Sequence, residues 1–274
     1  MEIEIDNMRI LISFLTCCVI LSCQNKENQF VDVAPNPDLK KTETVKVNQL
    51  DSQESVDMVM GDFDPKTHPI FVEVDKKYAD REGLYLHKET YQAFEKMYAA
   101  ASKDNINLVI RSATRNFKYQ KGIWERKWNG TTKIENGKNA ALAYPAFNRR
   151  AQKILEYSSM PGTSRHHWGT DIDLNNFENV YFESGQGLKV YEWLTANAGT
   201  YGFCQVYTKK GEKRPNGYNE EKWHWSYLPV AKKLLRVAKD SLNDSMISGF
   251  TGSEVATDLH VIENYVFGIN PDCL

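Results

Sequence analysis

Apolar residues return at steps of three and four through KETYQAFEKMYAAASKDN, where Tyr91, Phe94, Tyr98 and Ala101 share one face, so this stretch predicts an amphipathic helix. INLVIRSA at 106–113 is a β-branched apolar run and predicts a buried strand. NFKYQKGIWERKW predicts a helix with Tyr119, Ile123 and Trp124 turned inward. PAFNRRAQKILEYSSM predicts another, stopped by Pro161 and Gly162. After Gly169 the pattern changes to strict alternation: in TDIDL, Ile172 and Leu174 face one side of a strand while Asp171 and Asp173 face the other. GLKVYEWLTANAGTYGF predicts a helix ending in glycine punctuation, and KWHWSYL a second alternating strand. PVAKKLLRVAKDSLN opens a helix on Pro229 and carries an apolar stripe through Ala231, Leu234, Leu235 and Ala238. The closing ATDLHVIENYVFGIN predicts a last helix packed on the body. Helices and a few strands in mixed order, with no regular βαβ repeat, give an α+β class.

The N-terminal pattern is of another kind. MRILISFLTCCVILSC at 8–23 sets one arginine before an apolar run that ends in small residues and cysteine. It is short for a membrane-spanning helix and has the form of a secretory signal. The acidic MEIEIDN ahead of it does not suit such a signal, which makes Met8 a candidate start. The ending ILSC resembles a bacterial lipoprotein signal, in which Cys23 becomes the lipidated first residue; an ordinary cleaved signal is the alternative. Polar QNKENQ directly after Cys23 suits a tether. The expected layout is therefore a signal at 1–23, a flexible polar linker at 24–65, a folded body at 66–243 and an extension at 244–274 packed on that body. The chain is expected to be exported and lipid-anchored at the cell envelope, periplasmic or outer face.

Composition narrows this modestly. A chain of 274 residues suits one sizeable domain with appendages, and its net charge of −2 gives no basic face for nucleic acid. Behind the signal only Cys204 and Cys273 remain, too few for a cysteine-based metal cluster or a disulfide framework. One bridge between them and two unpaired thiols both fit. A monomer is the default.

The chemistry concentrates in two stretches. SRHHWGTDID at 164–173 holds two of the six histidines, and EKWHWSY at 221–227 holds a third. A catalytic zinc needs three ligands from histidine and carboxylate, an open position and a base beside it. His166 stands at the mouth of one strand and Asp173 on its polar face, with Gly169 between them to permit a sharp turn. His224 supplies a third ligand if the two strands pair. Glu221 serves as base if it sits in the turn before the second strand, which Pro215 and Gly217 favour. A single histidine is more often structural than a ligand; it is the convergence of two clusters that points to a metal. Trp223 and Trp225 flank His224 on the alternate face and are expected in the core, while His68, His87 and His260 are expected to be structural.

SRHHWGTDID resembles the S-x-H-x-x-G-x-A-x-D motif of the VanY-type zinc D-alanyl-D-alanine carboxypeptidases, and EKWHWSY resembles their E-x-W-H-x-x-Y motif. IRSATRNFKYQ resembles the family's S-x-x-R segment, with Ser112, Arg115 and Gln120 in matching places, and the resemblance covers about residues 66–240. It implies the compact α+β fold of lysostaphin-type and hedgehog-type domains, a small antiparallel sheet carrying one Zn2+ and flanked by helices. It implies His166, Asp173 and His224 as zinc ligands, Glu221 as general base and Arg115 as the group that stabilises the oxyanion. Ser164 and Gln120 match positions that contact or support substrate, with local turn and helix capping as their other reading. Two departures stand out. Asp171 replaces the usual alanine and reads best as a hydrogen-bond partner behind the ligands, and Lys222 stands where proline is common. His167 is expected at the surface or behind a ligand, with orienting a ligand or contacting substrate as the other reading, and Arg111 competes with Arg115 as the catalytic arginine but fits the motif less well. The implied substrate is the peptidoglycan stem peptide. An L,D-carboxypeptidase, dipeptidase or cross-link endopeptidase on the same site, or a catalytically silent peptidoglycan-binding lipoprotein, are the competing readings.

Overall fold

The computed structural model describes residues 55–274, so the signal-like run, Cys23 and most of the expected linker lie outside the described residues. The boundary expected after residue 65 falls earlier. Residues 55–60 are helical (α1), Met58 and Val59 are buried, and the Val59 carbonyl accepts a hydrogen bond from the Trp168 indole at 3.3 Å. Residues 55–65 thus belong to the body, because their apolar side chains find a place in its core.

β1 (Phe71–Glu73) and β2 (Tyr85–His87) form a short antiparallel pair that leads directly into α2 (Lys88–Lys103). The His87 imidazole caps that helix by accepting from the Glu89 amide at 3.2 Å. Phe94 and Ala101 are buried as the periodicity requires, joined by Ala93 and Met97, while Tyr91 and Tyr98 pack at the margin.

The central sheet has four strands in the order β3 (Ile110–Ser112), β4 (Asp171–Leu174), β6 (His224–Tyr227) and β5 (Phe203–Gln205), every pairing antiparallel. The strand expected over 106–113 shrinks to three residues because its partner β4 is short and the register shifts between Ile110 and Ser112. The remaining helices are α3 (Phe117–Trp128), α4 (Ala140–Ala143), α5 (Phe147–Ile154), α6 (Gly185–Asn197) and α7 (Leu228–Ser241). On α3 the inward residues are Gln120, Trp124 and Trp128; Tyr119, expected inside, is 55% exposed. The mixture of helices with small antiparallel sheets is the expected α+β class.

The sheet separates two surroundings. Ile172, Leu174, Trp225 and Phe203 pack with Phe94, Met97, Val190 and Leu194 of α2 and α6. Trp223, just ahead of β6, joins that cluster. The alternate positions, Asp171, Asp173, His224 and Ser226, are turned the other way and are also buried.

No long helix closes the chain. Residues 244–274 form short turns, including Ser253–Val255 and Ile262–Val266, interrupted by left-handed backbone at Gly249, Gly252 and His260. They nevertheless bury Ile247, Phe250, Val255 and Val261 in one cluster with Trp124 and Trp128. A disulfide between Cys204 on β5 and Cys273 fastens this segment to the sheet.

Candidate metal centre

The register of one strand pair builds the centre. Antiparallel pairing of β4 with β6 sets Asp173 opposite His224, Ile172 opposite Trp225 and Asp171 opposite Ser226. Directly opposed residues on one face come within side-chain reach, so a carboxylate and an imidazole meet across the strands. His166 arrives from a separate element, the 3₁₀ turn Arg165–Trp168, which ends on Gly169 at φ 70°. A Cβ at Gly169 would lie 2.4 Å from the Phe71 ring and 2.9 Å from the His87 amide nitrogen, so glycine is needed both for backbone hand and for space. One ligand atom from each of His166, Asp173 and His224 falls within 4.8 Å of the others.

The hydrogen bonds around these rings fix which nitrogen faces inward. His166 Nδ1 donates to the Ala113 carbonyl at 2.8 Å, which leaves the Nε2 lone pair 3.3 Å from Asp173 Oδ2. His224 Nε2 donates to Asp171 Oδ2 at 2.8 Å, so its Nδ1 faces Asp173 Oδ1 and Glu221 Oε2, each at 3.2 Å. His166 Nε2 and Asp173 Oδ1 are buried and make no hydrogen bond among the described residues. Two imidazole nitrogens and a carboxylate, each oriented from behind, make the donor set a zinc ion takes. The residues present fit such an ion.

Asp171 is the orienting group behind His224 and not a member of the cluster. It also accepts from Arg165 Nε at 3.1 Å, Ser226 Oγ at 2.6 Å and Thr170 Oγ1 at 2.6 Å, which saturates both oxygens. Burial disfavours its ionisation, yet the Arg165 guanidinium and His224 outweigh that and hold it well below the usual carboxylate range. Burial likewise opposes ionisation of Asp173, and His166 and His224 overcome it. Burial, then the Arg115 charge, lowers His166 from its ordinary value. His224 is pushed up despite burial because Asp171, Asp173 and Glu221 all crowd it. Three carboxylates around one imidazole are an environment that favours a cation.

Glu221 occupies the turn before β6, where its carbonyl accepts from the His224 amide at 3.2 Å. Burial raises its carboxyl above the ordinary value, the direction that makes a carboxylate a better base. Arg115 approaches from the β3–α3 connection: its Nη1 donates to Ser112 Oγ at 3.0 Å and lies 3.6 Å from Asp173 Oδ2, while its buried Nε makes no hydrogen bond among the described residues. Both backbone groups of Arg115 are held, the amide by the His166 carbonyl at 3.1 Å and the carbonyl by His167 Nδ1. His167 is fully buried, and its Nε2 accepts from the Gly162 amide at 3.1 Å. Arg111 points elsewhere, to Asp80 at 2.7 Å and the Asn175 carbonyl at 3.0 Å.

A cleft of about 850 Å³ opens over the cluster, with Ser112, Arg115, Lys127, Ser158 and Trp223 in its walls. Gln120 and Ser164, expected at the substrate, do not line it. Gln120 is on the buried face of α3 and donates to the Ser159 carbonyl at 2.8 Å. Ser164 is buried, its hydroxyl without a hydrogen-bond partner among the described residues, and it lines a small recess shared with Arg115, His166, Glu221 and His224. Lys127 and Ser158 escaped notice in the sequence. The signal for Lys127 was there: it follows Gln120 by seven residues and Trp124 by three, and so shares their inward stripe.

The family described as VanY: D-alanyl-D-alanine carboxypeptidase matches residues 83–230. The YodJ protein of Bacillus subtilis (strain 168) is 32% identical over 162 residues, which span 57% of this chain and 50% of that protein. The D-alanyl-D-alanine carboxypeptidase of Enterococcus faecalis is 24% identical over 198 residues, 72% of this chain and 67% of its own length. The chain therefore spans between half and two thirds of these curated relatives. The solved structure of VanYB in complex with D-alanine-D-alanine is 21% identical, with 62% of this chain and 84% of that chain covered at a TM-score of 0.45.

Proposed function

Because the chain belongs to the VanY D-alanyl-D-alanine carboxypeptidase family, we propose that it is a zinc-dependent carboxypeptidase that removes the terminal D-alanine from peptidoglycan stem peptides. The observation that carries this reading is the convergence of His166, Asp173 and His224 within 4.8 Å, with Glu221 3.2 Å from His224. His166, through Nε2, Asp173, and His224, through Nδ1, would hold the ion. Zinc, when bound, supplies Lewis acidity and makes water acidic near neutral pH.

The chain's own groups do the rest. Glu221 accepts the proton of the attacking water and returns it to the leaving amine, a shuttle favoured by its raised carboxyl. Arg115, with a buried Nε that has no hydrogen-bond partner among the described residues, stabilises the negative charge developing on the scissile carbonyl oxygen. Ala113 and Asp171 keep the two imidazoles in the tautomers that face the ion. The Arg115 backbone is pinned by His166 and His167, so the oxyanion donor and a metal ligand are positioned by one short segment. Export with lipid anchoring at Cys23 belongs to the same proposal; the Cys204–Cys273 disulfide supports an oxidising compartment.

The test is Glu221→Gln against wild type, with zinc content and D-alanine release from a stem pentapeptide measured on both. The variant is expected to keep its metal and lose about 10²–10⁴ in rate. An unchanged rate would remove Glu221 from the reaction. Mass spectrometry of the digest separates the D,D-carboxypeptidase from an L,D-carboxypeptidase or endopeptidase, since each releases a different fragment.

A further inference from the structure

A carboxypeptidase must distinguish a free chain end from a peptide bond inside a chain, and no residue assigned so far does this. His166, Asp173, His224, Glu221 and Arg115 all act on the reacting carbonyl and the water. The terminal carboxylate lies one residue beyond that carbonyl, within about 4 Å of backbone. Its anchor must therefore be a donor in the same wall, close to Glu221.

Among the described residues four cations line the cleft: Arg81, Arg115, Lys127 and Lys133. Arg81 is exposed and pairs with Asp80 at 3.3 Å. Lys133 is exposed. Arg115 is already committed to Ser112 and Asp173. Lys127 differs from all three. It stands on the last turn of α3, half-buried, with Nζ donating to Ser158 Oγ at 2.6 Å. Among the described residues no carboxylate lies within ion-pair distance of it. An ammonium withdrawn from water without a counter-ion is costly, and a carboxylate that arrives with the substrate offsets that cost. Lys127 shares the cleft wall with Glu221 and Arg115, and burial lowers it from its ordinary value, with Glu221 opposing and Arg115 adding. Ser158 supplies a second donor at the same point, since a hydroxyl that accepts from lysine is free to donate its own proton.

We propose that Lys127 and Ser158 clamp the free terminal carboxylate of the substrate, and that this pair makes the site cut at chain ends. The assignment rests on the peptidase reading above and adds the group that sets its specificity. Lys127 takes no part in bond breaking; it fixes where the last residue sits, and with it which carbonyl reaches Glu221 and Arg115.

The probes are diacetyl-L-Lys-D-Ala-D-Ala and its C-terminal carboxamide. Wild type is expected to prefer the free acid. Lys127→Met keeps the aliphatic stem and removes the charge; it should raise KM for the acid about 10–100-fold with kcat changed only a few-fold, from the loss of one charge-assisted contact. KM for the carboxamide should stay where it was, and Lys127→Arg should recover most of the preference. Binding to the Glu221→Gln chain by calorimetry gives the same comparison without turnover. Wild type that handles acid and carboxamide alike, or Lys127→Met that keeps the wild-type preference, overturns the clamp and leaves the peptidase reading intact. If wild type cuts neither probe and Glu221→Gln binds neither, the peptidase reading falls and takes the clamp with it. Should Lys127→Met melt at a much lower temperature than wild type, Ser158→Ala carries the same test: loss of preference supports the clamp and full retention overturns it.

Discussion

Asp171→Asn is the most informative single change, because it is isosteric and removes only a charge and one acceptor. Asp171 Oδ1 receives two hydroxyls, from Ser226 and Thr170, which can rotate to accept from an amide. Oδ2 receives Arg165 Nε at 3.1 Å and His224 Nε2 at 2.8 Å, neither of which can accept. The new amide therefore settles with its NH₂ toward the hydroxyls and its oxygen toward Arg165 and His224. Both of those bonds survive as hydrogen bonds and lose their ionic part, about 1–1.5 kcal/mol each. Arg165, 2% exposed, is also left without its counter-charge. Removing one partner of a buried pair costs about 3–5 kcal/mol, so a loss of about 3 kcal/mol in the metal-free chain is expected, the amide oxygen holding it to the lower end. His224 is less firmly held in its tautomer, and zinc affinity should fall about 10–100-fold. Urea denaturation of chelator-treated protein reads the first quantity, and zinc titration against a competing chelator reads the second. A stability loss below about 1 kcal/mol together with unaltered zinc affinity would refute the reasoning.

Other outcomes follow from the same geometry. Arg115→Ala should keep zinc and lose about 10²–10³ in kcat, by the usual worth of one oxyanion donor; wild-type turnover would exclude it. His167 is pushed down to about 3 by burial, so between pH 6.5 and that value the unfolded chain binds a proton that the folded chain refuses. Stability should accordingly fall on acidification, by about 1.4 kcal/mol per pH unit from this group, and urea midpoints of His167→Gln should show a shallower slope; equal slopes would contradict it. Replacing Cys204 and Cys273 by serine opens a link across 69 residues and should cost up to about 4 kcal/mol, read by thermal or urea denaturation under oxidising conditions.

What the sequence made legible was the chemistry, and what it hid was mostly placement. His166, Asp173 and His224 stood out because few residue types bind metal and the strands carrying two of them alternate cleanly. The requirement that Glu221 precede the strand also followed from alternation alone. Residues 55–65 looked like linker because six helical residues are too few for a periodicity to register, and only the packing of Val59 places them in the body. The closing segment misled in the opposite direction: apolar spacing in ATDLHVIENYVFGIN suits a helix, but His260 adopts a left-handed backbone and the chain turns instead. Gln120 and Ser164 are both buried and neither lines the large cleft, Ser164 lying instead in a small recess beside His166 and Glu221, and burial is a property of the neighbours. For Lys127 the stripe it shares with Gln120 and Trp124 gives a face of the helix, and only its contact with Ser158 gives the ammonium a direction.

The opposition of Asp173 and His224 across β4 and β6 has a further consequence. Because side chains alternate along a strand, a slip of a single position in this pairing would rotate Ile172 or Trp225 toward the candidate metal site and drive a carboxylate or an imidazole into oil. No intermediate alignment holds both. On the proposed function, metal uptake would be an all-or-none report on whether the strands met correctly during folding, and a misaligned molecule would be inert from the outset.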